Sequence, residues 1–157
     1  MYGVSAESKS QLRTRPGHRL GRVFSLVYFG CMDEITQYHK RYSAKQAKVM
    51  KALRQELDKA LGQEHSKLWH GAPVWFVGEN PVAGYSVNSR GVCLLFWNGQ
   101  SFKDASLHAV GKFFAAELRY TDVSEIQVTK LRGLIRQAKT KVWDSVGYTR
   151  KARAKAK

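Results

Sequence analysis

The run Val92-Cys93-Leu94-Leu95-Phe96-Trp97 has six apolar side chains in succession, with Asn88-Ser89-Arg90-Gly91 before it and Asn98-Gly99 after it. Neighbouring side chains of a strand point to opposite faces, so a strand without a polar position needs cover on both. The run therefore reads as a central strand between two turns. Two further strands precede it, Val74 to Val77 and Val82 to Val87, separated by turn signals at Gly78-Glu79-Asn80-Pro81. Phe113 to Tyr120 offers another strand, and Lys103 to Gly111 reads as a weakly helical or looped insertion. The pattern is an antiparallel meander of short strands.

Helical patterns lie on either side of the meander. A short segment begins at Asp33 and continues through Ile35 and Tyr38. A longer one follows Ser43, which with Gln46 makes a capping-box spacing. Its apolar positions Ala47, Met50, Leu53, Leu57, Ala60 and Leu61 recur at steps of three and four, and Gly62 supplies a C-terminal stop. The lysines, Arg54 and acids between them form a solvated face. Near the C-terminus Val128, Leu131, Ile135, Ala138 and Val142 repeat the helical step, with Leu134 and Val146 in support. Ser124 and Gln127 have the capping-box spacing at its start, and Gly147 is the expected end. The fold expected is α+β: a compact antiparallel sheet flanked by N-terminal and C-terminal helices, all in one domain over residues 32–149.

Between the halves stands Leu68-Trp69-His70-Gly71-Ala72-Pro73-Val74-Trp75-Phe76-Val77. Pro73 lacks an N–H and drives Ala72 out of the α region, so an extended junction is expected there. Aromatic side chains are dense in and after it. If helices cover only one face of the sheet, some of Trp69, Trp75, Phe76, Tyr85 and Trp97 must cover the other, lining an apolar groove for a ligand or partner together with His70. His70 itself reads either as a pocket donor or as a structural histidine bonded to backbone.

The formal charge of +15 looks like a nucleic-acid signal until it is divided. Residues 1–31 carry +4, residues 150–157 carry +5, and the longer body between them only +6. The tail Arg150, Lys151, Arg153, Lys155 and Lys157 is interspersed with alanine, is expected to be disordered, and is the candidate for weak, nonspecific nucleic-acid association with the last helix. Residues 1–31 have a basic stretch before Val23 to Phe29, roughly a signal-peptide layout. Ser25 interrupts the apolar core, however, and Tyr28-Phe29 stand where a cleavage site needs small residues. A poorly ordered extension, or a true start at Met32, is the simpler expectation.

Catalytic and metal constellations are not evident. The five histidines include no i, i+4 pair, the two cysteines Cys31 and Cys93 form neither a CxxC nor a Cys/His cluster, and no GxSxG elbow or glycine-rich phosphate loop occurs. Cys93, in the all-apolar run, reads as a small core residue. No cofactor, metal or enzymatic activity is assigned, and neither a disulfide framework nor a membrane span is expected. The reading is a cytoplasmic, non-enzymatic domain that binds a small molecule or a protein.

Trp69-His70-Gly71-Ala72-Pro73-Val74-Trp75-Phe76 resembles the aromatic, x, Gly, x, Pro, x, aromatic signature of the bacterial YdhG-like family of unknown function. Leu94 to Gly99 and Leu118 to Ile126 are similar to that family's apolar strand and to its last strand with the step into the final helix. The resemblance spans about Met32 to Val146 and implies the same α+β fold. It also implies a frataxin-like iron-chaperone role described for some members, which would require clustered carboxylates. Here Asp33 and Glu34 are adjacent, Glu56 and Asp58 lie on different helix faces, and the body is net positive, so no iron site is carried over.

Overall fold

A computed structural model describes residues 32–156 of the chain. The expectations for Cys31, for the segment before Met32 and for Lys157 lie outside those residues. Helices α1 (Glu34–His39) and α2 (Ala44–Leu61) lead into strands β1 (Ser66–Trp69), β2 (Ala72–Val77), β3 (Asn80–Asn88) and β4 (Gly91–Phe96). After these come β5 (His108–Ala109), β6 (Ala116–Tyr120) and helices α3 (Val128–Thr140) and α4 (Ser145–Lys155). The strands form one antiparallel sheet in the order β1-β2-β3-β4-β6-β5. The α+β expectation holds, and β4 lies inside the sheet between β3 and β6, as its unbroken apolar run requires.

Local chemistry accounts for the helix starts. Asp33 accepts from the backbone N–H groups of Ile35 and Thr36, both at 3.1 Å, and so caps α1. Ser43 and Gln46 form the expected reciprocal capping box on α2, and Gly62 ends that helix. Val49, Met50, Leu53 and Leu57 of α2 are fully buried, as are Leu131 and Ile135 of α3, and both helices pack on Trp75, Tyr85, Leu94 and Phe96 of the sheet. Glu56 ties the two helices together by accepting from Arg132 Nε at 2.6 Å and Nη2 at 3.1 Å. The Arg132 guanidinium holds the Glu56 carboxyl below its usual range. No described helix is long and apolar enough to cross a membrane.

Several sequence expectations are corrected or refined. The junction is extended rather than helical, with Ala72 opening β2 as expected, but it folds back on itself as a tight hairpin. Trp69 pairs with Ala72 across His70-Gly71, whose φ angles of 50° and 78° match the two left-handed positions of a type I′ turn. Pro73 sits opposite Leu68, one residue before the β2–β3 register begins at Val74 and Gly84, so its missing N–H falls where that ladder has not started.

Ser124 and Gln127 do not form a capping box. The Ser124 hydroxyl instead donates to Asp122 at 2.8 Å, and Asp122 with Glu125 caps a 3₁₀ turn over Val123–Glu125. The last helix is also two helices. Asn98 Nδ2 donates to the Lys141 carbonyl at 3.0 Å, engaging an oxygen that a continuing helix would bond internally. Asp144 then caps a new helix by accepting from Gly147 N at 2.9 Å. Gly147 lies in the first turn of α4 and ends nothing; a Cβ there would run into the Asp144 carboxylate. Residues 150–155, expected to be disordered, continue α4 as exposed helix.

Candidate functional site: an aromatic groove opposite the main helix layer

Strand alternation sorts the aromatic side chains by face. Trp75, Ala83, Tyr85, Leu94, Phe96 and Leu118 belong to the core shared with α1, α2 and α3. Side chains one position away point to the opposite face, among them Trp69, Phe76 and Trp97. Trp69 packs against both others there: its ring lies 5.8 Å from Phe76 at 80° and 6.0 Å from Trp97. Lys67 Nζ stands 4.6 Å from the centre of the Phe76 ring. Gly84 lies among them in β3, where a Cβ would come within 3.0 Å of Val74 Cγ2 and 3.3 Å of Trp97 Cζ3, so its lack of a side chain allows the close packing.

Helix α4 walls this floor on one side. Asn80 Oδ1, at the start of β3, accepts from Val146 N at 3.1 Å and Ser145 Oγ at 3.3 Å, fixing the N-terminal turn of α4 against the sheet. Val146, Thr149, Arg150 and Arg153, at the i, i+3, i+4 and i+7 positions of one helix face, line a groove of about 650 Å³ over Trp69, Phe76 and Trp97. Trp143 and Phe113 border it, their rings 5.4 Å apart. Phe114 and Tyr148 join the same cluster at 5.7 Å and 5.8 Å from Trp143. Phe113, Phe114 and Tyr148 remain 49%, 52% and 52% exposed, an unusual concentration of solvent-facing rings beside a basic helix. The charged groups at the groove are Lys67, Arg150, Arg153 and Glu79, with Arg150 Nη2 and Glu79 Oε2 3.7 Å apart.

Of the sequence candidates, Trp69, Phe76 and Trp97 come together in the groove, and His70 lies beside them. The His70 ring lies 4.2 Å from that of Trp69, tilted by 59°, at the exposed hairpin tip, bordering a smaller hollow of about 260 Å³ around Gly84. Trp75 and Tyr85 are corrected. Trp75 is wholly buried, and its indole N–H donates to Asp58 Oδ1 at 2.9 Å beneath the helices. Tyr85 borders the smaller hollow, but its side chain is 1% exposed, its hydroxyl lies 2.8 Å from His39 Nε2, and burial pushes its pKa far up.

Among the basic candidates, Arg150 and Arg153 face the groove, whereas Lys151 and Lys155 do not line it. The aromatic residues Phe113, Phe114, Trp143 and Tyr148 were not anticipated. The available signal was the interleaving of Trp143 and Tyr148 with the cations that follow, a pattern hidden by reading the region as the end of one amphipathic helix.

Other reactive groups are quiet. The Cys93 thiol is buried, accepts from Asn88 Nδ2 at 3.2 Å, and has its pKa raised by burial and by the nearby Glu117 carboxylate. Among the described residues no three His, Cys, Asp or Glu side chains are grouped so as to hold a metal ion. Comparison of the chain with protein-family models, with curated proteins and with solved structures returns no match in any of the three.

Proposed function

We propose that this chain is a non-catalytic binding module of the cytoplasm whose ligand site is the groove between α4 and the sheet face opposite the main helix layer, and whose ligands are planar and anionic. One observation carries this reading: five aromatic side chains, Trp69, Phe76, Trp97, Phe113 and Trp143, line one trough whose charged groups are three cations and one carboxylate. Flat rings favour planar apolar groups, while Lys67, Arg150 and Arg153 favour negative charge at the edge.

The four tryptophans provide the test. Titration with the aromatic anion 1-anilinonaphthalene-8-sulfonate, followed by the indole N–H resonances of ¹⁵N-labelled protein, should shift Trp69, Trp97 and Trp143. Trp75, sealed under the helices, should stay in place. Unmoved groove resonances at millimolar probe, or shifts of all four together, would overturn the reading.

A further inference from the structure

We propose that the groove binds single-stranded nucleic acid, with bases against the Phe113 and Trp143 rings and phosphates on Lys67, Arg150 and Arg153. This deepens the groove reading above and depends on it. Three features select a strand over a compact ligand or a duplex.

The first is length. The groove adjoins a second hollow of about 450 Å³, and the two share Lys67, Phe76, Glu79, Val146 and Arg150. Together they form a trough with room for more than one nucleotide. The second is the presence of rings and cations at one trough. Base stacking on aromatic side chains, combined with a positive track for the backbone, is how strands are held without sequence readout. Phe113 and Trp143 offer rings at the border of the trough, while Arg150 and Arg153 sit one turn apart on the α4 face that lines it. A duplex keeps its base faces stacked and cannot use those rings.

The third is the charge of α4. From Ser145 to Lys155 it holds Arg150, Lys151, Arg153 and Lys155 and no acid, so its field attracts a polyanion. The second hollow adds Glu64, whose side chain is 73% exposed, and the first has a single carboxylate, Glu79. Its contact with Arg150 at 3.7 Å joins two side chains that are 76% and 79% exposed, an arrangement a phosphate can displace at little cost.

The division of α4 into two faces supplies the experiment. Arg150→Ser with Arg153→Ser removes the groove cations, and Lys151→Ser with Lys155→Ser removes the same charge outside the groove. Full-length protein would be titrated by fluorescence anisotropy with labelled oligothymidylate and oligouridylate of about 12 nucleotides, a length in the range of known strand-binding sites. Equal-length duplex and polyglutamate would serve as comparisons, over a salt series.

The groove pair should weaken binding of the DNA strand, the RNA strand or both at least ~10-fold and flatten the log–log salt slope by about 1.4, two phosphate contacts' worth. The outside pair should cost less than ~3-fold. Bound strand should quench tryptophan fluorescence, and Trp143→Phe, which keeps a stackable ring, should bind more tightly than Trp143→Ala. Equal losses from both double variants, equal affinity for duplex, or equal affinity for polyglutamate would overturn the proposal. If neither strand binds while the naphthalene sulfonate still shifts Trp69, Trp97 and Trp143, the strand proposal fails and the groove reading stands.

Discussion

The indole N–H of Trp75 donates to Asp58 Oδ1 across 2.9 Å, tying the middle of β2 to α2 from within the core. Asp58 Oδ2 also accepts from Arg54 Nε at 3.2 Å, and Arg54 Nη1 reaches Asp33 Oδ1 at 3.0 Å, so the α1 cap, α2 and β2 share one polar network. Trp75 is wholly buried, and removing the partly exposed Asp58 carboxylate leaves its N–H without that acceptor. Asp58→Ala should therefore destabilise the fold by about 1–3 kcal/mol, the cost of an orphaned buried donor. Asp58→Asn, which keeps an acceptor oxygen, should lose less. Urea unfolding at neutral pH measures both, and equal losses for the two variants would contradict the role given to the hydrogen bond.

His39 gives stability a pH dependence. Its Nε2 lies 2.8 Å from the Tyr85 hydroxyl in the core. Burial lowers the imidazole's pKa, the Arg54 charge lowers it further, and Asp33 opposes both. The unfolded chain thus binds the proton more readily than the folded one. The contribution is present above the unfolded value of about 6.5 and is lost as pH falls through it toward the lower folded value. Urea midpoints should fall between pH 7.5 and pH 5.5 by less in His39→Gln than in the parent chain. The depressed carboxyls of Asp33 and Glu56 act in the same sense at lower pH, below their unfolded values of about 4.

Legibility in the sequence followed the range of the interaction that decides each feature. The Ser43–Gln46 cap, the Gly62 stop and the central position of β4 depend on adjacent residues or on one strand's composition, and all were readable. The break between α3 and α4 depends on Asn98, 43 residues from the carbonyl it engages, and no local pattern announces it. β1 is a four-residue edge strand with a single aromatic, too short to show its own period. For the groove, alternation separates Trp75 from Phe76 but does not say which face the helices cover. On sequence alone Trp75 and Tyr85 are therefore indistinguishable from Trp69, Phe76 and Trp97, and only the packing of α2 and α3 divides them.

Gly91 should tolerate no side chain. Its φ of 114° is a conformation L residues rarely adopt, and a Cβ there would lie 2.5 Å from the Tyr120 carbonyl oxygen across the β4–β6 pair. Gly71, with φ of 78° in the hairpin tip, has nothing within 4 Å of an added Cβ and separates conformation from collision. Gly71→Ala should cost about 1–2 kcal/mol, and Gly91→Ala clearly more, because backbone in a central pair cannot move aside. Thermal or urea unfolding of the two variants, side by side, checks the order.

Asn80 should control the groove without controlling the fold. Its amide oxygen accepts from Val146 N and Ser145 Oγ, and its Nδ2 reaches the capping Asp144 Oδ1 at 3.4 Å, so one side chain joins the start of β3 to the first turn of α4. Helix α4 has no buried residue, and the principal hydrophobic core lies on the other side of the sheet, so undocking α4 removes little apolar burial. In Asn80→Ala, hydrogen exchange of the α4 amides should accelerate at least ~10-fold, the loss of roughly 1.4 kcal/mol of local protection. The amides of α2 and β4 should keep their protection. Affinity for the aromatic anion should fall in parallel, because Arg150 and Arg153 line the groove with Phe76 and Trp97 only while α4 is docked. Unchanged exchange in α4 would show that this helix is held by contacts other than Asn80.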